Sequence, residues 1–122
     1  MRFGKSMKKI LAARGYKHRA DDKDFSRHGD YARNMQYTFS KEFVGQDEKV
    51  IDVIFLSADM YTEMFVIGFF RENVSIENGI IENGNTTIPL ANFSLEEFEK
   101  KLDQLISKEP LLKKHYGDNE AF

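Results

Sequence analysis

The densest run of chemically capable side chains is His18, Asp21, Asp22, Asp24, His28 and Asp30. Imidazoles and carboxylates ligate divalent metals, and a His–Asp pair also moves protons to and from a substrate. The spacing fits no ligand order with a known mechanism, because it lacks the alternating oxygen ligands and the Gly and closing Glu of a calcium loop. A solvated loop entering a turn accounts for the same residues. The cluster is therefore a candidate acid–base or metal centre to which no metal ligand is assigned. Serine-based nucleophilic catalysis fares no better, since no Gly-x-Ser-x-Gly elbow occurs. Ser94 has the position of a helix cap, Ser6 falls in a helical segment, and His115 suits a helix C-terminus, where a cation is favoured. The glycines form no phosphate cradle. There are no cysteines, which removes disulfides, thiolate zinc sites and cysteine nucleophiles. No catalytic residue is assigned and no cofactor is expected.

A second constellation is basic. Lys8, Lys9, Arg14, Lys17 and Arg19 flank Tyr16 and His18, an arrangement of cations and rings that contacts phosphates and stacks on bases. Residues 1–33 carry a local charge of +6 and the rest −8. The whole chain, at −2 with a pI near 5.9, is more acidic than a dedicated nucleic-acid binder. Nucleic acid is thus the lesser expectation, and a solvated helix face that the acidic remainder partly neutralises is the simpler one.

Those residues need elements to hold them. At 122 residues the chain has the length of one domain, and a single domain over 1–117 with a tail at 118–122 is expected. The apolar stretch after the basic start ends at Ala13, with Arg14 and Lys17 close behind, which is too short for a secretory signal. The longest apolar run, Met64 to Phe70, is too short to span a bilayer. A cytoplasmic protein without a membrane segment is the expectation, consistent with the lack of cysteine.

Phe3, Met7, Ile10, Leu11 and Arg14 recur at helical spacing, which predicts a helix from Arg2 to Arg14 ended by Gly15. From Tyr31 the apolar residues alternate: Tyr31, Met35, Tyr37 and Phe39 share one face with Arg33. Gly45-Gln46-Asp47-Glu48 predicts a turn. Lys49–Ser57 and Met60–Phe70 are apolar on both faces and so belong at the centre of a sheet. Gly68, inside the second, marks a bulge, a close approach or plain core packing. Val74–Glu77 and Ile80–Glu82 predict short strands around an Asn78-Gly79 turn. A second turn at Asn83-Gly84 leads to an edge strand, Thr86–Ile88, ended by Pro89. Ser94-Leu95-Glu96-Glu97 is a capping box with Phe93 and Phe98 in the staple positions. It opens a helix whose apolar stripe is Leu95, Phe98, Leu102, Leu105 and Ile106.

The pattern predicts an α+β fold: a five- or six-stranded, largely antiparallel meander flanked by an N-terminal and a C-terminal helix. Two slender helices cannot cover two apolar sheet faces, and a large bare apolar face usually marks an interaction surface. The expectation is therefore a non-enzymatic interaction module, of the accessory, immunity-like or chaperone-like kind, with a protein partner or a second copy on the uncovered face. Phe65, Ile67 and Phe69 are the candidate interface residues.

Overall fold

The computed structural model describes residues 4–19, 35–59, 61–77 and 79–107. The order is α1 (Gly4–Ala13), β1 (Lys17–His18), β2 (Met35–Gly45), β3 (Glu48–Asp59), β4 (Met64–Asn73), β5 (Ile80–Pro89), a 3-10 turn (Leu90–Asn92) and α2 (Leu95–Leu105). The strands form one antiparallel five-stranded sheet in the order β1-β2-β3-β4-β5. The fold is thus α+β, a meander with a helix at each end.

Local chemistry explains the boundaries. Gly15 adopts φ +87° and lets the chain leave α1, with Gly15 and Tyr16 amides bonding back to Ala12 and Leu11 carbonyls. At the other end the Ser94 hydroxyl accepts the Glu97 amide hydrogen at 3.0 Å, so one orphan donor of the first turn of α2 is satisfied. Gln46 and Asp47 alone join β2 to β3, with Asp47 at φ 59°.

The second expected Asn-Gly turn does not form. Asn83 and Gly84 lie within β5, paired with Phe70 and Phe69, and the two short pieces foreseen on either side are one ten-residue strand. Gly84 faces α2, where a Cβ would stand 3.7 Å from Leu105 Cδ2, in ordinary van der Waals contact. Val74–Glu77 is not a strand but part of the loop into β5. Gly79 closes that loop, where a Cβ would collide with the Asn73 carbonyl. Gly68 sits in regular register opposite Phe55 without a bulge.

Both helices pack on one face. Met7 and Leu11 of α1 and Phe98 and Leu102 of α2 are buried against Phe39, Ile54, Leu56, Ala58, Phe65, Ile67, Phe69 and Ile88. Fully burying a Leu or Phe of this kind stabilises by roughly 1.5–3 kcal/mol, so the core rather than helix propensity holds the short helices down. Phe65, Phe93 and Phe98 make edge-on and tilted ring contacts that seat α2, with centroids 4.9 to 6.3 Å apart.

Candidate functional site

The strand registers align four charged residues in one row across the helix-covered face: Lys41 on β2, Asp52 on β3, Arg71 on β4 and Glu82 on β5. Their signs alternate. At the centre Arg71 donates two hydrogen bonds to the Asp52 carboxylate, at 2.7 and 2.9 Å. The two residues are only 4% and 1% exposed, so the pair is desolvated and two-pronged. Arg71 also reaches Glu82 at 3.3 Å and lies over the Phe69 ring. Tyr16, just past α1, is buried, with the charges of Asp52 and Arg71 close enough to act on its phenol. Burial, then the Asp52 charge, push its phenol well above the ordinary tyrosine range, and Asp52 and Glu82 raise the Arg71 guanidinium further.

A cleft of about 660 Å³ opens over this row. Lys41, Phe43 and Asp52 form its floor, and Arg14, Gly15, Tyr16, Asp103 and Ile106 its walls. The Lys41 ammonium lies against the Phe43 and Tyr16 rings, 5.1 and 5.8 Å from their centroids. Across the rim Arg14 joins the helices, bonding Asp103 at 2.6 and 2.8 Å and Glu99 at 2.5 Å. The hydrogen bond from Arg14 holds the Asp103 carboxyl below the usual range, while Arg14 itself is raised. Both helices turn their C-terminal ends, the negative poles of their dipoles, to this cleft. Its strongest charges already satisfy one another, which is the chemistry of a clamp.

The other face of the sheet differs in kind. Along β3 and β4 it presents Ile51, Val53 and Phe55 beside Met64, Val66 and Phe70. The Phe55 and Phe70 rings stack at 5.6 Å, with Phe55 passing alongside Gly68, whose missing side chain leaves the space. The flanking positions Ser40, Ser57, Asn83, Asn85 and Thr87 are neutral, while Glu42 and Glu72 stand on either side of Ile51. Neither described helix packs on this face, where Val53 is only 3% exposed and Ile51, Phe55, Met64, Val66 and Phe70 are half-buried. Among the described residues, five of the six exposed large apolar side chains, Val44, Val74, Ile76, Ile80 and Ile81, gather at the end formed by the β2–β3 turn and the β4–β5 loop. Asp47, Glu48, Glu72 and Glu77 surround them, and Lys49 is paired with Glu42.

The candidates from sequence are redistributed by this arrangement. Phe65, Ile67 and Phe69 are 0, 0 and 5% exposed beneath the helices, which corrects their assignment to an interface. Strand parity puts Val66, Gly68 and Phe70 on the open face instead. The basic set is not one patch. Arg14 is held in the clamp, Lys8 lies over the Tyr37 ring at 4.7 Å, and Lys9, Lys17 and Arg19 are exposed. Of the His18–Asp30 cluster only His18 is described, packed beside Tyr37 and Phe39; Asp21, Asp22, Asp24, His28 and Asp30, like the tail at 118–122, lie outside the described residues. Among the described residues no group of three or more His, Asp or Glu converges as a metal site. Likewise, no described helix is long and apolar enough to cross a membrane. The Asp52–Arg71 pair went unread in the sequence. Its signal was two ionisable residues interrupting apolar strands on what proves to be the inner face.

Comparison with family models, curated proteins and solved structures finds nothing that matches this chain.

Proposed function

We propose that this chain is a non-catalytic interaction module that docks a protein partner on the open face of its sheet. The observation that carries this reading is the segregation of the two faces. Both helices cover one side, while the other carries an aromatic and aliphatic stripe from Ile51 to Phe70, bordered by neutral residues along most of its length and by Glu42 and Glu72 at the Ile51 end. Interface centres are depleted of charge and enriched in aromatic residues and methionine, as this stripe is. The exposed aliphatic end with its acidic surround selects a partner surface that is apolar at its centre and basic where it meets the β4–β5 loop.

Oxidative footprinting of the protein in its native cells, compared with the purified protein, tests the reading. Met64, Phe55 and Phe70 are expected to be modified in isolation and shielded in the cell, and Phe70→Glu to abolish the shielding of Met64 while the helix-side core stays intact. Equal modification of all three in both settings would refute it.

A further inference from the structure

The outer edge of β5 is a second surface with a definite chemistry. Among the described residues β5 closes the sheet order, and ten residues of it, Ile80–Pro89, run along that edge. An open edge offers a row of unpaired amides and carbonyls, and proteins usually guard it with lysines, prolines or bulges. Here the bulge lies at the start of the strand, between Arg71 and Glu72 on its neighbour, and the proline stands at its end. The seven residues between, Glu82-Asn83-Gly84-Asn85-Thr86-Thr87-Ile88, contain no lysine and a single charge. Among the described residues, Asn83, Asn85, Thr86 and Thr87 make no side-chain hydrogen bond within the chain.

We infer that the occupant of this edge is a second copy of the chain, pairing β5 antiparallel to β5 about a two-fold axis at Asn85. The sequence of the strand is self-complementary in that register. Asn85 meets Asn85, Gly84 meets Thr86, and Asn83 meets Thr87, so the neutral polar centre pairs with itself. Glu82 falls opposite Ile88, which keeps the two carboxylates apart, whereas a register centred near Glu82 would oppose them. At the ends the exposed Ile81 and Ile80 come opposite Pro89 and Leu90 of the second copy, so two isoleucines left in water by the single chain gain apolar neighbours. The axis is perpendicular to the sheet and keeps like faces together. The result is one ten-stranded sheet with two open faces side by side on one surface and four helices on the other. This pairing uses the edge of the sheet and leaves the Ile51–Phe70 stripe free, sharing only Ile80 and Ile81 with the aliphatic end described above.

Light scattering on the purified full chain is the first measurement, and it is expected to give twice the 14.2 kDa chain mass at high micromolar concentration. Hydrogen exchange under the same conditions should show amides within residues 82–88 becoming protected as concentration rises. Asn85 is exposed and sits opposite Gly68, so charges are accommodated there without disturbing the core. Asn85→Lys and Asn85→Asp should each be folded by circular dichroism and monomeric, and an equimolar mixture of the two should dimerise again through a Lys–Asp contact at the axis. A monomeric wild type would overturn the inference. So would a dimer with β5 amides as open as in the monomer, a dimer that survives Asn85→Lys, or a mixture that stays monomeric.

Discussion

Asp52 and Arg71 sit where the sheet would otherwise be apolar, and each is tolerated only because the other is there. Removing one partner leaves an unpaired buried charge, so Arg71→Met and Asp52→Leu alone should each cost about 3–5 kcal/mol in denaturant unfolding. The double substitution should recover most of that loss, because two apolar groups of similar volume need no desolvation. Loss in the double variant equal to the sum of the singles would contradict this account. Tyr16 is buried near the same carboxylate, and its raised phenol has a defined pH consequence. A group whose folded pKa is raised adds stability that is full below its unfolded value, about 10 for tyrosine, and lost as pH rises beyond it. Stability should therefore fall above that pH in the native protein, and the fall should be smaller in Tyr16→Phe. Identical alkaline profiles for the two proteins would remove Tyr16 from the explanation. None of this trio was legible in the sequence, since no local spacing announces a cross-strand ion pair.

At the scale of elements, signals confined to a few neighbouring residues were readable. The Ser94 cap, the end of α1 at Gly15 and the two-residue turn at Gln46–Asp47 all formed where local chemistry placed them, with the Glu97 carboxylate turned to Lys101 and not back to the Ser94 amide. Ser94→Ala should cost about 1 kcal/mol in thermal or chemical unfolding, with Ser94→Asp retaining most of the stability. Gly15→Ala should be destabilising by about 1 kcal/mol or more, because a positive φ suits no Cβ and the new methyl would press on Lys41 at 3.1 Å. A neutral result would show that the Lys41 stem yields freely. Asn83-Gly84 failed as a turn because an Asn-Gly pair states only what the backbone tolerates. The packing of Leu105 over β5 was decided by residues far away in sequence. The interface candidates failed for a related reason. Period two separates the residues of β4 into two sets but does not say which set faces the helices, and Phe65, Ile67 and Phe69 were as apolar as their alternates.

The whole molecule is organised by the sidedness of its sheet and by the Arg14 clamp that ties the helices over one side. The charge asymmetry between the first 33 residues and the remainder is partly spent here, in Arg14 bonding to Glu99 and Asp103. These carboxylates are about half exposed, so Asp103→Asn should cost no more than about 1 kcal/mol, and less at high salt. Asp103 is held below the usual range. Its contribution is present above the unfolded carboxylate value and is lost as pH falls through the lower folded value. The acid limb of a stability profile should accordingly be shallower in Asp103→Asn, and an unchanged limb would assign the acid sensitivity elsewhere. The α+β outline was legible because periodicity and turn chemistry are written locally. Which face the helices share is a property of the assembled chain.

The alternating row Lys41–Asp52–Arg71–Glu82 also bears on how many folds this sequence can adopt. Slipping β4 along β3 by two residues keeps every apolar side chain on its own face, so burial alone hardly penalises the error. The same slip puts Arg71 opposite Val50 or Ile54, and Asp52 opposite Phe69 or Asn73, stranding both charges in the core. The row thus acts as a key that admits one alignment of the central strands. A variant with the pair replaced by apolar residues should keep its stability and lose its uniqueness, showing doubled resonances for β3 and β4 in an NMR spectrum where the native protein gives single ones.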